Sequence, residues 1–176
     1  GVATAVVYQG EEIDFGSEFD GTSSVTGIAG DAEGQVIDLD RDIPEDQTTG
    51  TYSANGSSPI NNSSNPGFTV LEPAIDTAEV QLDGEDLDQV ATDDAVPSNL
   101  TAFAEWNFAE AENVTVEVQD PSGADITNEV LNGPDELNNV SDGTASVGLD
   151  MEDEDAGEYT VIFEGAEDLD YDAVVE

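Results

Sequence analysis

The chain contains no cysteine and no histidine, and Arg41 is its single basic residue. Without cysteine it has neither disulfides nor thiol chemistry, and without histidine a serine nucleophile lacks its usual proton acceptor. Zinc sites, which take His or Cys ligands, are disfavoured for the same reason. One arginine cannot supply the clustered positive charge that binds DNA, RNA or an anionic membrane. The sequence therefore predicts neither a nucleic-acid-binding protein nor a nucleophilic hydrolase.

Acidic residues dominate the charged residues of the chain. Asp and Glu account for 43 of the 176 residues, and the formal net charge at pH 7 is -42. Such charge is typical of disordered chains, but 37% of the residues are hydrophobic and fall in short runs such as 114–118 and 159–163, which indicates a folded core. The repulsion between carboxylates is largely screened in about 1 M salt, where the Debye length is about 3 Å. The composition therefore predicts a halophilic protein.

The apolar runs are short, rich in Val, Ile, Thr, Tyr and Phe, and separated by clusters of Gly, Asn, Asp, Ser and Pro. This pattern favours strands over helices. We predict an all-β fold of two tandem immunoglobulin-like β-sandwich domains, residues 1–73 and 74–176. The predicted strands are residues 3–8, 24–28, 36–39, 50–54, 68–71, 78–82, 100–108, 114–119, 144–150, 158–164 and 171–175.

Two local motifs are specific enough to predict geometry. The Asp-Pro-Ser-Gly order at residues 120–123 predicts a type I turn. The Asp-Ala-Gly-Glu-Tyr order at residues 155–159 predicts the tyrosine corner of immunoglobulin-like sandwiches, in which the Tyr159 hydroxyl bonds backbone a few residues upstream. The alternative is an ordinary turn followed by an aromatic residue in a strand. Trp106 is expected to pack in the core, where its indole N–H needs a partner.

Three acidic clusters are candidate sites for a hard cation such as calcium or another divalent ion. Residues 168, 170 and 172 alternate, so in an extended chain their carboxylates share one face, and a second cluster crowds residues 150–155. The third, residues 38–42, begins like an EF-hand loop but has Ile43 where that loop needs glycine. The alternative for each is a solvated acidic surface. The predicted cation ligands are Asp168, Asp170, Asp172, Asp150, Asp153 and Asp155.

Six asparagines head an Asn-x-Ser/Thr sequence, the acceptor signal for N-linked glycans. Three of them lie at or inside a long polar loop, residues 55–66, which is expected on the surface. Residues 61 and 62 are the favoured acceptors, followed by residues 99 and 113. The predicted acceptors of N-linked glycans are Asn55, Asn61, Asn62, Asn99, Asn113 and Asn139.

Enzymatic activity is not expected. Paired carboxylates could serve a glycosidase or an aspartic protease, but pairs arise by chance among 43 acidic residues and no local signature selects one. A carboxylate-pair hydrolase is one alternative function. Another is an accessory or adhesion module of a secreted halophilic protein, which exposed aromatics would favour; the candidate aromatics are Tyr8, Phe15, Phe19, Trp106 and Phe108.

Residues 120–131, 155–162 and 164–170 closely resemble strings in the N-terminal region of haloarchaeal surface-layer (S-layer) glycoproteins. Shorter strings at residues 10–13, 29–34 and 71–73 resemble the first domain of that family in the same order. The resemblance implies a secreted, glycosylated cell-wall protein at the cell surface. In this family, tandem immunoglobulin-like domains assemble with copies of themselves into a two-dimensional, typically hexameric lattice, which divalent cations stabilise. The resemblance also implies that the chain is the N-terminal part of a longer protein, which contacts the membrane only through a C-terminal anchor.

Overall fold

A computed structural model describes residues 5–13, 15–61, 64–87, 99–109, 111–137, 143–165, 169 and 172–175. The chain divides into two compact units, Gly1–Pro73 and Ala74–Glu176. The described residues form three β-sheets, and their helical segments are the single turns Ser17–Phe19, Gly30–Ala32 and Thr127–Val130 (α1). The prediction of an all-β fold is confirmed.

The first unit holds one five-stranded sheet in the order β1-β5-β4-β2-β3. Its pairs are antiparallel, except that β1 runs parallel to β5. All described strands of this unit belong to that sheet, so the two-sheet sandwich predicted for residues 1–73 is not found. Segments between the strands cover the buried side in place of a second sheet. The strands are Ala5–Tyr8 (β1), Ser24–Gly27 (β2), Val36–Asp38 (β3), Gly50–Ser53 (β4) and Gly67–Leu71 (β5).

One face of this sheet forms the core of the first unit. Val7 pairs with Val70, Phe68 with Tyr52, and Val25 with Ile37, and all six side chains are buried. Their neighbours along each strand point to the opposite side, since side chains alternate in a strand. Ile43 and the half-buried Ile13, Phe15, Phe19 and Leu39 pack against the same core from the connecting segments.

The buried Tyr52 brings a polar group into this core and satisfies it locally. Its hydroxyl donates to the Thr48 carbonyl oxygen at 2.6 Å and accepts from Gln47 Nε2 at 2.7 Å. Burial raises the pKa of Tyr52, and the Gln47 hydrogen bond offsets part of that rise. Tyr52 therefore fixes the segment before β4 as well as filling the core.

The second unit has two four-stranded sheets, with strand orders β11-β8-β6-β7 and β10-β9-β12-β13. Every described pair within them is antiparallel. The predicted strands are confirmed to within three residues at either end, while the two-residue strands and α1 were not predicted. The strands are Ile75–Leu82 (β6), Glu85–Asp86 (β7), Leu100–Trp106 (β8), Val114–Gln119 (β9), Glu136–Leu137 (β10), Thr144–Leu149 (β11), Thr160–Gly165 (β12) and Asp172–Val175 (β13).

Alternate residues of β8, β9 and β12 in this unit are buried. In β8 these are Leu100, Ala102, Ala104 and Trp106, and β9 and β12 alternate in the same way. The sheets adjoin where β13 lies beside β6 and β10 beside β11. Trp106 is only 2% exposed, and its indole N–H donates to the Glu112 carbonyl oxygen at 3.3 Å. The expectation that a buried tryptophan finds a hydrogen-bond partner is confirmed.

Candidate glycan and cation sites

The acidic loop that follows β11 contains three of the predicted cation ligands. The Asp150 carboxylate accepts a hydrogen bond from the Glu152 amide at 3.2 Å and lies on the surface. Asp153 and Asp155 are also exposed. Within the described part of the chain, no group of three or more acidic side chains is placed to hold a metal ion. Asp150, Asp153 and Asp155 are exposed, and their role as cation ligands stays a prediction.

The other predicted cation ligands lie largely outside the described residues. This is so for Asp168 and Asp170, while Asp172 is described only as the first backbone position of β13. Leu169, between the two aspartates, is buried, and its backbone N–H lies 3.3 and 3.2 Å from the two carboxylate oxygens of Glu112. A cation site at residues 168–172 stays a prediction.

The segment that resembles an EF-hand loop serves a structural purpose. Ile43, which occupies the position of the loop glycine, is 1% exposed and packs in the core of the first unit. Asp38 instead accepts a hydrogen bond from the Asp40 amide at 3.1 Å. The burial of Ile43 agrees with the rejection of an EF-hand at this position.

The tyrosine corner has the predicted geometry. The Tyr159 hydroxyl donates to the Asp155 carbonyl oxygen at 2.6 Å, four residues upstream. Gly157 lies between them in close contact with the Pro121 ring, where a side chain would have no room. Partial burial raises the pKa of Tyr159, and the negative charges of Glu154, Asp155 and Asp120 raise it further.

The Asp120 side chain organises the predicted turn at residues 120–123. The turn closes with a hydrogen bond from the Gly123 amide to the Asp120 carbonyl oxygen at 2.8 Å. The Asp120 carboxylate accepts from the Ser122 hydroxyl, the Ser122 amide and the Ala124 amide. These bonds lower the pKa of Asp120, and the bond from the Ser122 hydroxyl has the largest effect. The Thr127 hydroxyl and amide likewise lower the pKa of Asp125. Both carboxylates are thus used within the fold.

The four described glycan acceptors differ in exposure. Asn55 and Asn99 are exposed, whereas Asn61 and Asn113 are half-buried. The Asn99 side-chain amide donates to the Asp83 carboxylate at 3.0 Å, and that of Asn113 donates to Glu136 at 2.6 Å. An amide nitrogen has two hydrogens, so one of these bonds leaves one hydrogen for substitution by a glycan. Asn62 and Asn139 lie outside the described residues.

A buried asparagine holds the polar loop that contains the first acceptors. Asn65, 5% exposed, donates from its side-chain amide to the carbonyl oxygens of Ser57 at 2.6 Å and Pro59 at 3.1 Å. Its side-chain oxygen accepts a hydrogen bond from the backbone N–H of Asn55 at 2.9 Å. One side chain thus joins both limbs of the loop between β4 and β5.

Replacing Asn65 with alanine is expected to reduce the free energy of unfolding by about 2 kcal/mol, because three backbone groups lose their partner in a buried setting. Urea unfolding in molar salt measures this change. Asn128→Ala, at an exposed position of α1, is the matched control and should change the free energy by less than about 0.5 kcal/mol. Equal effects of the two variants would show that Asn65 does not organise the loop.

The sequence is similar to the cell surface glycoproteins of several halophilic archaea. It is 36% identical over 186 residues to the cell surface glycoprotein of Haloarcula marismortui, covering 95% of this chain and 20% of that protein. Identity to the cell surface glycoprotein of Halobacterium salinarum is 33% over 179 residues, with 95% and 20% covered. For that of Haloarcula japonica it is 32% over 194 residues, with 96% and 22% covered. The chain is therefore related to haloarchaeal cell surface glycoproteins.

This relationship confirms the resemblance found in the sequence strings. The chain spans about a fifth of the length of the curated cell surface glycoproteins it matches. No protein-family model matches it. None of the helices in the described part of the chain has the length and hydrophobicity needed to span a membrane.

Nothing in the sequence indicates that Glu112 is a structural residue. It is 8% exposed, its carbonyl oxygen accepts from Trp106, and its carboxylate faces the Leu169 amide. Among so many solvated carboxylates, nothing in the local sequence distinguishes a buried one. Its position follows only from the pairing of strands distant in sequence.

Proposed function

We propose that this chain is a structural part of a secreted surface-layer glycoprotein, which assembles with its own copies into a two-dimensional lattice on a halophilic archaeal cell. The observation that carries the proposal is the similarity to haloarchaeal cell surface glycoproteins over about 95% of the chain. The net charge of -42 adds support, because it suits an external medium of molar salt. The role is mechanical and needs no catalytic group.

We propose an immunoglobulin-like sandwich for the second unit, because its strand order is compatible with that fold. Taken in chain order, β6, β8 and β11 match strands A, B and E of one sheet, and β9, β12 and β13 match strands C, F and G of the other, with β10 as an additional strand beside C. The tyrosine corner lies just before β12, the F strand, as in that fold. Trp106 departs from the pattern, since it lies on the B strand rather than on C. A rigid domain of this kind is suited to tiling a surface.

Glycans on this chain are proposed first for Asn55 and Asn99. Both side chains are exposed, so a bulky and hydrated glycan can be attached without disturbing a core. Asn61 is a weaker candidate because its side chain is half-buried. Mass spectrometry of peptides from the native protein tests this order.

The aromatic residues give no support to an adhesion module. Tyr8, Trp106 and Phe108 are at most 5% exposed, and Phe15 and Phe19 pack against the core of the first unit. The side chains that a carbohydrate-binding surface needs are therefore occupied in packing. The structural role is the better supported proposal.

Electron microscopy of the native protein in molar salt tests the proposal. We expect ordered sheets in about 2 M salt that dissociate when salt is lowered to about 0.1 M, since repulsion between copies is then no longer screened. Addition of a chelator at constant high salt separates screening from the requirement for divalent cations that the resemblance implies. Discrete monomers at high salt, with and without added calcium, would contradict the proposed function.

A further inference from the structure

The sheet of the first unit has a second face, opposite the core, which carries no charged side chain over most of its area. We call it the neutral face. Strand register places Val6, Thr69 and Thr51 side by side across β1, β5 and β4, and pairs Thr26 with Val36 across β2 and β3. Tyr8 and Ser53 share this side but are buried. The neutral face consists of Val6, Ser24, Thr26, Val36, Thr51, Thr69 and Leu71.

Charge is absent from the sequence segments that supply four of the five strands of this face. A quarter of all residues are charged, yet residues 47–71 contain none in 25 consecutive positions, and residues 1–10 and 21–30 contain none either. These segments include β1, β2, β4 and β5. The core explains why the inward residues are apolar, but it places no such requirement on the outward ones.

The outward residues of the second unit show what this chain normally places on a sheet surface. The half-buried or exposed positions of its long strands include Glu79 on β6, Glu105 on β8, Glu117 on β9 and Glu164 on β12. Each of these four strands therefore carries a carboxylate on its outward side, whereas β11 carries none. The neutral face differs from them although it belongs to the same chain and meets the same solvent.

The margin of the neutral face carries one carboxylate, which lies beside a basic residue. Asp38, at the end of β3, is the acidic residue on this side of the sheet. Arg41, the single basic residue of the sequence, lies beside it, with Nε 4.0 Å from the Asp38 carboxylate. The pair is exposed and adds little stability, and it offsets the charge of Asp38 alone.

The neutral face is open to contact and partly apolar. Val6, Val36 and Leu71 are the exposed large hydrophobic residues of the described structure, at 37%, 59% and 38% exposure, and all three lie on it. Threonine hydroxyls fill the space between them, and those of Thr51 and Thr69 lie 3.4 Å apart. Apolar groups ringed by hydroxyls and free of carboxylates are suited to close contact with another protein surface.

We propose that the neutral face is a contact surface between two copies of this chain; this inference rests on the proposed function and assigns a surface to it. Molar salt screens the repulsion between exposed carboxylates, but carboxylates buried together at an interface lose their hydration and are screened much less, so contact through a carboxylate-bearing surface carries a penalty. The neutral face avoids that penalty on both sides of the contact. A basic partner would instead bind the acidic surfaces, so the absence of charge favours a second copy. Contact between identical faces also satisfies two-fold symmetry.

Charge introduced on the neutral face tests the proposal. Val36→Glu changes the most exposed of the three hydrophobic residues, and Leu71→Glu gives an independent second variant. Ser146→Glu, at an exposed position of β11, adds the same charge elsewhere and is the matched control. Association of the 176-residue chain is measured by sedimentation equilibrium in about 2 M salt, with circular dichroism to verify folding. We expect each neutral-face variant to weaken association at least about tenfold and the control to change it less than about twofold.

The outcomes separate this inference from the proposed function. If the wild-type chain associates and the native protein forms sheets, while folded Val36→Glu and Leu71→Glu variants associate as the wild type does, the contact surface is wrong and the structural role stands. If Ser146→Glu weakens association as much as they do, the effect is general repulsion and the inference is also wrong. If neither the chain nor the native protein assembles at high salt, both proposals fail. Val36→Thr, which removes apolar area without adding charge, should weaken association less than Val36→Glu does.

Discussion

In about 0.1 M salt the second unit is expected to be largely unfolded, and to fold cooperatively as salt is raised towards about 2 M. Thirty of the 43 acidic residues lie in Ala74–Glu176, which has no basic residue, whereas Gly1–Pro73 has thirteen together with Arg41. Self-repulsion per residue is therefore greater in the second unit. The second unit should accordingly need more salt to fold than the first.

Spectroscopy can follow the two units separately. Trp106 is the single tryptophan and is buried in the second unit, so its fluorescence follows that unit. Tyr52, packed near Phe68 in the first unit, contributes to the near-ultraviolet circular dichroism. A titration with sucrose in place of salt controls for general solvent effects. Identical fluorescence in low and high salt would show that charge repulsion does not limit folding.

Replacing Phe68 with alanine is expected to cost about 3–5 kcal/mol in the free energy of unfolding. Phe68 is 1% exposed, and its ring centroid lies 5.4 Å from Phe15, 6.0 Å from Phe19 and 6.2 Å from Tyr52. The substitution leaves a cavity at the point where the covering segment meets the sheet. Phe15 and Phe19 come from outside the strands, so they should lose their order together with the core.

Leu71→Ala is the matched control for Phe68→Ala because Leu71 lies on the same strand and points to the opposite face. At 38% exposure it should cost about 1 kcal/mol or less. Urea unfolding in about 2 M salt, at a protein concentration at which the chain is monomeric, compares the two by near-ultraviolet circular dichroism. Equal losses would mean that the ring cluster around Phe68 does not form the core of the first unit.

The strands of this chain were predictable where alternation is long and uninterrupted. The run at residues 114–119 alternates apolar and polar positions without a break, and β9 has the predicted bounds. Strands β7 and β10 are two residues long and have no period to detect. The single sheet of the first unit was not predicted, because a local pattern does not contain the pairing of β1 with a strand far along the chain.

Site prediction was limited by the abundance of one residue type. The sequon asparagines can be identified directly, but their exposure depends on loop contacts such as those of Asn65. With 43 acidic residues, carboxylates that are neighbours in sequence say little about which of them come together in space, so the cation ligands at residues 150–155 stay a prediction. The neutral face left a signal in the charge-free stretch of residues 47–71, but only strand register shows which of those residues share a side.

The parallel pairing of β1 with β5 also governs the order of events when the chain is made. Ala5 pairs with Phe68, about 60 residues later, and β1 has no other described strand partner in the sheet. A chain emerging from the ribosome or from an export channel cannot place its first strand until nearly all of the first unit has emerged. Such a high contact order slows folding, and the unpaired first strand meanwhile exposes a backbone edge to other chains. Completion of this unit thus depends on the arrival of its last strand.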